Sequence, residues 1–279
     1  MKIVFLALFV LSSLASARTL FVSDIDDTVK ISHVLNTASA LKNAIRVDNH
    51  FNGMSQAYQV YHQFDPQAEI VYLTNAPQIF MGSFHARFLQ HNHFPQGLLL
   101  LRQSLSDQNF KLTQLRQLIQ REHPTRLVLI GDNGEKDVQV YAQIQAEYPQ
   151  IPTFVYIHQI YSSWSHSETG SLLDRNQKGF VTGLDLMTYF LSERFITSDI
   201  YQKYIKSVVP QMLKEDDRED DGNIAFPSWI DCRDFFGARQ SVQQRPYQPP
   251  QNVSSLTESQ LYSEYKMKLK NRCLTGPLE

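Results

Sequence analysis

Three aspartates, Asp24, Asp26 and Asp27, fall within four positions of "SDIDDTVK", directly after an apolar run. Carboxylates this close repel one another and resist losing their water. A cation among them would offset that repulsion. Two further carboxylates extend the set: Asp132 ends the apolar run "RLVLIGD", and Asp137 follows in "NGEKD". Together they form a hard, oxygen-rich site suited to Mg²⁺. Beside such an ion a carboxylate can attack phosphorus and form an aspartyl-phosphate, the role expected of Asp24. A second carboxyl two residues on, Asp26, can protonate the leaving oxygen and later activate water. Charge developing on the phosphoryl oxygens needs donors, and Thr74, nearby backbone N–H groups and a lysine would supply them.

These residues need a scaffold that brings distant segments together. Four runs read as strands: "TLFVS" at 19–23, "EIVYLTN" at 69–75, "RLVLIGD" at 126–132 and "TFVYIHQI" at 153–160. They are continuously apolar rather than alternating, as in strands covered on both faces of a parallel sheet. Helical patterns lie between them, among them "FMGSFHARFLQ", "KLTQLRQLIQREH" and "KDVQVYAQIQAEY". The alternation predicts an open α/β layered sheet. Ligands bind outside the carboxyl ends of such strands. Asp24, the pair Thr74-Asn75 and Asp132 stand at three of those ends and should converge.

The motifs also carry a resemblance. Asp24-x-Asp26-x-Thr28 is similar to motif I of the haloacid dehalogenase (HAD) superfamily of phosphotransferases, and Thr74 stands at its motif II position. Lys111 fits motif III and "GDNGEKD" fits motif IV. Beyond the superfamily, "SDIDDTVK", "FNGM", "YLTNAP", "HFPQGLLLLR", "FKLTQLRQLI" and "LIGDNGEKDVQVYAQI" resemble the catalytic domain of the yeast actin-patch phosphatidate phosphatase family, over about residues 19–160. The resemblance implies a HAD-like, Rossmann-like fold and hydrolysis of phosphatidate or a related lipid phosphate. It implies that Asp24 is nucleophile and metal ligand, and that Asp26 is general acid/base with a backbone carbonyl on the metal. Thr28 would hold the motif I loop beside the substrate, and Thr74 and Asn75 would face the phosphoryl group. Lys111 would neutralise its charge, and Asp132 and Asp137 would complete the Mg²⁺ site. Asp27 and Lys30 belong to the motif without an assigned role. The family usually has Ser at the positions of Thr74 and Asn133, and an Arg-Asp pair where this chain has "IHQIY". A soluble phosphate ester or nucleotide as substrate, or phosphate or head-group binding without turnover, are the competing readings.

The formal charge of -2 gives no long-range pull toward nucleic acid, so none is expected as a partner. Lys2, the apolar "IVFLALFVL" and the small residues Ala15-Ser16-Ala17 read as an export signal over 1–17, which predicts a periplasmic or secreted protein starting at Arg18. The apolar run is too short for a membrane span. The phosphatase domain is expected over 18–161. A lid-sized insert lies between Thr28 and Ile70, carrying "VLNTASALKNAIRV"; lids exclude water and choose substrates, while plain packing on the sheet is the alternative.

Residues 162–279 read as a mainly helical extension with a Gln/Pro-rich linker near 240–255. The only cysteines, Cys232 and Cys273, could pair in an oxidising compartment or remain free. The acidic run around Asp217, Glu219 and Asp221 imitates a calcium loop, but Ser228 holds the place of the bidentate Glu, so a solvated loop is expected. His85, His91 and His93 read as surface and helix-end histidines. The helix bearing Tyr262, Tyr265, Lys266, Lys268, Lys270 and Arg272 could make peripheral membrane contact, but its basic residues spread over more than one face, so a solvated helix is expected.

Overall fold

The structure, a computed structural model, describes residues 18–276. The expected export signal lies outside the described residues. Six parallel strands make one open sheet: β1 (Thr19–Ser23), β2 (Glu69–Pro77), β3 (Leu98–Arg102), β4 (Arg126–Asp132), β5 (Thr153–His158) and β6 (Lys178–Phe180). Their order is β3-β2-β1-β4-β5-β6. The α/β reading therefore holds. All four strands expected from the sequence are present, and two were missed. "LLLLR" became β3 at the sheet edge, and β6 comes from the C-terminal extension.

The period-2 geometry of a strand divides the core into two layers. Leu20, Val22, Val71, Leu73, Leu127 and Leu129 face helices α4 (Phe110–Glu122) and α5 (Asp137–Glu147). Phe21, Tyr72, Val128, Ile130 and Tyr156 face the opposite layer, built from α2 (Met54–Phe64), α3 (Gln78–His91), α6 (Gly183–Ser192), α7 (Ser198–Lys214) and α8 (Glu258–Thr275). Covering on both faces is why the strands read as unbroken apolar runs.

The insert after β1 divides its work. Helix α2 packs into the core, whereas α1 (Thr37–Ala44) stays at the surface beside the carboxyl ends of the strands. Gly53 caps α2 with φ 89°, and a Cβ there would overlap the Tyr204 hydroxyl and Val208 of α7, so glycine is required on both counts.

The C-terminal extension shares this core. Cys232 and Cys273 form a disulfide with Cα atoms 4.7 Å apart. Helix α8 is not a solvated helix. Tyr265, Lys268 and Arg272 are buried, and the Lys268 ammonium donates to Met212 O and Glu215 O, both at 2.8 Å. Those are carbonyls at the C-terminal end of α7, where an ammonium meets unpaired acceptors and the negative end of the helix dipole. The acidic run is likewise not simply solvated. Asp217 pairs with Lys268 at 3.0 Å, Asp221 with Arg46 at 2.6 Å, and Glu215 is half-buried, accepting from Asn52 Nδ2 at 2.5 Å and Ala225 N at 2.7 Å. Among the described residues no helix is long and apolar enough to cross a membrane.

Candidate functional site

The chain leaves β1 toward β2 on one side of the sheet and later returns to place β4 on the other. That reversal opens a crevice at the carboxyl ends of β1 and β4. Asp24 follows β1 directly, and its N–H donates to Ile130 O of β4 at 2.8 Å. Asp132 is the last residue of β4, Thr74 lies near the end of β2, Lys111 is in the first turn of α4, and Asp137 begins α5. A carboxylate in the first turn complements the exposed N–H groups of the helix. Gly131 lets Asp137 approach the strand, because a Cβ at that position would overlap its carboxylate.

The Lys111 ammonium, 2% exposed, lies 2.8 Å from Asp24 Oδ1, 2.6 Å from Asp137 Oδ1 and 3.7 Å from Glu135 Oε2. Thr28 Oγ1 donates to the other Asp24 oxygen at 3.0 Å. Asp132 Oδ1 accepts from Gly134 N at 2.6 Å and Glu135 N at 3.1 Å, while the buried Asp132 Oδ2 has no hydrogen-bond partner. Three carboxylates thus surround one ammonium, and a fourth, Asp132, lies beside them without an ion pair of its own to Lys111. Burial first, then mutual repulsion, pushes Asp24 and Asp132 well above the ordinary carboxylate range, with Lys111 opposing; burial also raises Asp137 against the pull of Lys111. Burial opposes the charge on Lys111, but Asp137, Asp24 and Glu135 outweigh it and hold the lysine protonated. One ligand atom from each of Asp24, Asp132 and Asp137 lies within 4.8 Å of the others. Excess negative charge, hard oxygen donors and an unpartnered buried carboxylate oxygen fit a small divalent cation.

Above this cluster a cavity of about 540 Å³ is lined by Asp26, Thr74, Asn75, Gly134, Glu135 and Lys136 on its polar side. Asp26 Oδ1 accepts from Ser32 Oγ at 2.6 Å, and Thr74 Oγ1 lies 3.3 Å from Asp26 Oδ2. His85 is a correction to the sequence reading. It is fully buried on α3, with Nε2 3.3 Å from Asp26 Oδ2, and neither ring nitrogen has an aligned hydrogen-bond partner. His91 and His93 are exposed, as expected. Burial pushes the Asp26 carboxyl up, but the neighbouring His85, Lys30 and Ser32 outweigh that and hold it below the usual range. The signal for His85 was faint, since its burial follows only from the face of α3 that packs on the sheet.

The remaining motif residues acquire positions. Thr28 is buried and aimed at Asp24 rather than into the cavity, whereas Asn75 lines the cavity and donates to Glu135 Oε2 at 3.0 Å. Asp27, unassigned from sequence, organises the loop. At φ 60° it accepts from the N–H groups of Ser32, His33 and Val34 and from the Tyr161 hydroxyl. Asp tolerates that left-handed backbone better than most residues. Lys30 donates to Ala44 O at 2.7 Å and so ties the motif loop to the end of α1. Where the family has Ser, Asn133 bonds three backbone groups of 160–161, and His158 packs its ring against the carbonyls of Asp27, Thr28 and Val181.

Comparison with known proteins gives the same frame. A fission-yeast (Schizosaccharomyces pombe) protein described as uncharacterized protein C29B5.04c is 27% identical over an alignment of 163 residues that covers 51% of this chain and 25% of that relative. The chain thus spans about a quarter of the relative's length. The family model described as "Phosphatidate phosphatase APP1, catalytic domain" matches residues 19–159, half of the chain, and covers Asp24, Asp26, Thr28, Thr74, Lys111, Asp132 and Asp137. The chain therefore belongs to the family of the phosphatidate phosphatase APP1 catalytic domain.

Proposed function

We propose that this protein is a Mg²⁺-dependent phosphatase of the HAD type that hydrolyses phosphatidate, or a related lipid phosphate, through an aspartyl-phosphate on Asp24. The observation that carries this reading is the buried set of Asp24, Asp132 and Asp137 around one lysine, with an Asp132 oxygen left unpartnered. Asp24, Asp132 and Asp137 would hold the cation, which when bound supplies positive charge to the phosphoryl oxygens.

The chain's own residues do the rest. Lys111 and Thr28 fix the two Asp24 oxygens, so the nucleophile is positioned before substrate arrives. An Asp24 oxygen attacks phosphorus, the ester P–O bond breaks, and the leaving alkoxide takes a proton from Asp26. Asp26 then accepts a proton from water, the resulting hydroxide attacks phosphorus, and inorganic phosphate leaves Asp24. The resting Asp26 is held as a carboxylate, the form suited to the second half. An incoming phosphate beside it adds negative charge and raises its pKa, which suits the first half. Thr74 lines the same cavity beside Asp26 and would donate its hydroxyl to a phosphoryl oxygen, while the N–H groups of Gly134 and Glu135 hold Asp132.

We further propose export, supported by the Lys2 and Ala15–Ala17 pattern and by the disulfide; the mass of the exported protein should correspond to a start at Arg18. The functional test is phosphate release from phosphatidate in mixed micelles, with Mg²⁺ or with EDTA, beside Asp24→Asn. Metal-dependent release lost in the variant is the expected result. Turnover that persists in Asp24→Asn removes the nucleophile assignment, and release from soluble esters alone removes the lipid.

A further inference from the structure

The cavity above Asp24 has a mouth built from three segments. Ala40 and Ala44 of α1, Pro77 and Met81 at the start of α3, and Gln108 in the β3–α4 loop all line it. These segments carry five of the six most exposed large apolar side chains among the described residues: Leu41, Ile45, Ile79, Phe80 and Leu105, with exposures between 61% and 84%. Monomeric soluble proteins scatter such residues singly, whereas a group around a site entrance marks a contact surface. Helix α1 is pinned in place, since Lys30 holds its last carbonyl, that of Ala44, and Asn36 caps its start. Gln103 donates to Gln78, joining the loop to α3. The rim is therefore preformed.

Its charge is as uneven as its hydropathy. From Thr28 to Val47 and from Ile70 to Ser106 the chain contains no Asp or Glu, while it contains Lys30, Lys42, Arg46, Arg87 and Arg102 in the same stretches. Lys42 and Arg46 are already paired with Asp221. Arg102, inside the mouth, has a buried Nε without a partner. Of the three rim segments only the β3–α4 loop carries a carboxylate, Asp107, and the apolar surface of Leu41, Ile45, Ile79 and Phe80 on α1 and α3 is therefore complementary to an anionic lipid surface, not to a second acidic protein.

We propose that Leu41, Ile45, Ile79, Phe80 and Leu105 form a docking rim that seats the cavity mouth on an anionic bilayer, so that a lipid phosphate reaches Asp24 without crossing water. The proposal rests on the lipid-phosphatase reading for its substrate but not for the contact itself. Apolar side chains would enter the interface, and Arg102 would meet head-group oxygen at the mouth. Because all five residues are exposed, substituting them removes no core packing.

The test is co-sedimentation of full-length protein with phosphatidylcholine vesicles, with and without phosphatidate at about one lipid in ten, comparing wild type with Ile79→Ser/Phe80→Ser and Leu41→Ser/Ile45→Ser. Hydrolysis of the soluble ester p-nitrophenyl phosphate is measured alongside. Binding of wild type to phosphatidate vesicles, weakened roughly tenfold or more in each double variant with soluble-ester turnover retained, is the expected result. Wild type that fails to bind vesicles, or variants that bind equally well, overturns the proposal. So does wild type that sediments as a dimer while the variants are monomeric, which would make the rim a self-association surface. Vesicle binding that depends on the rim without any phosphatidate hydrolysis upholds the docking rim and removes the lipid-phosphatase reading.

Discussion

Replacing Lys111 by Met tests the electrostatic design of the site directly. Met keeps most of the buried stem, so the change removes charge rather than volume. Asp24 then retains Thr28, and Asp137 retains only the N–H of Asp132 at 3.4 Å. No other cation lies within ion-pair distance of Asp24 or Asp137 among the described residues. Removing one partner of a buried ion pair typically costs about 3–5 kcal/mol, because the remaining charge is left uncompensated. Urea unfolding in EDTA should therefore show Lys111→Met destabilised by about that amount. Adding Asp137→Asn should recover part of the loss, giving a coupling energy of about 1–3 kcal/mol between the two positions. A loss below about 1 kcal/mol, or losses that simply add in the double variant, would refute the reasoning, since such values belong to exposed pairs.

Three further outcomes follow from the geometry. The Cys232–Cys273 bond closes a separation of 41 residues, so Cys232→Ser/Cys273→Ser should lose about 4 kcal/mol in the loop-entropy view, and reductant should reproduce most of it in wild type; no change in either would leave the bond without a structural part. Burial pushes Glu215 up to about 7, so the folded state binds the extra proton and stability should fall as pH rises from about 4.5 to about 7, by at most about 3 kcal/mol. The slope should be smaller in Glu215→Gln, measured by chemical denaturation across that range, and an unchanged slope would assign the dependence elsewhere. His85→Phe keeps a buried ring but removes both nitrogens beside Asp26, so kcat on a soluble ester should drop roughly tenfold with KM little changed. Full turnover in that variant would leave His85 as core packing only.

Sequence alone was enough to say which strand ends would meet. Asp24, Thr74 and Asp132 were legible as one site because a parallel sheet exposes polar residues only where its apolar strands end, and the four apolar runs marked those ends. The α/β class was legible for the same reason, since strands covered on both faces must be apolar throughout. Tertiary structure alone decided what depends on packing between distant segments. His85 looked like a surface residue until α3 turned it under Asp26. Lys268 and Arg272 looked solvated until α8 packed against α7, where carbonyls at the end of α7 accept from Lys268 and those of Pro227 and Ser228 accept from Arg272. Strand β6 is only "KGF", too short to carry a period, and it exists because β5 offers an open edge. The rim around the cavity mouth shows the limit most clearly. Nothing in the sequence sets Leu41, Phe80 and Leu105 apart from apolar residues that pack inside, and only their placement on three elements beside one cavity makes them a surface.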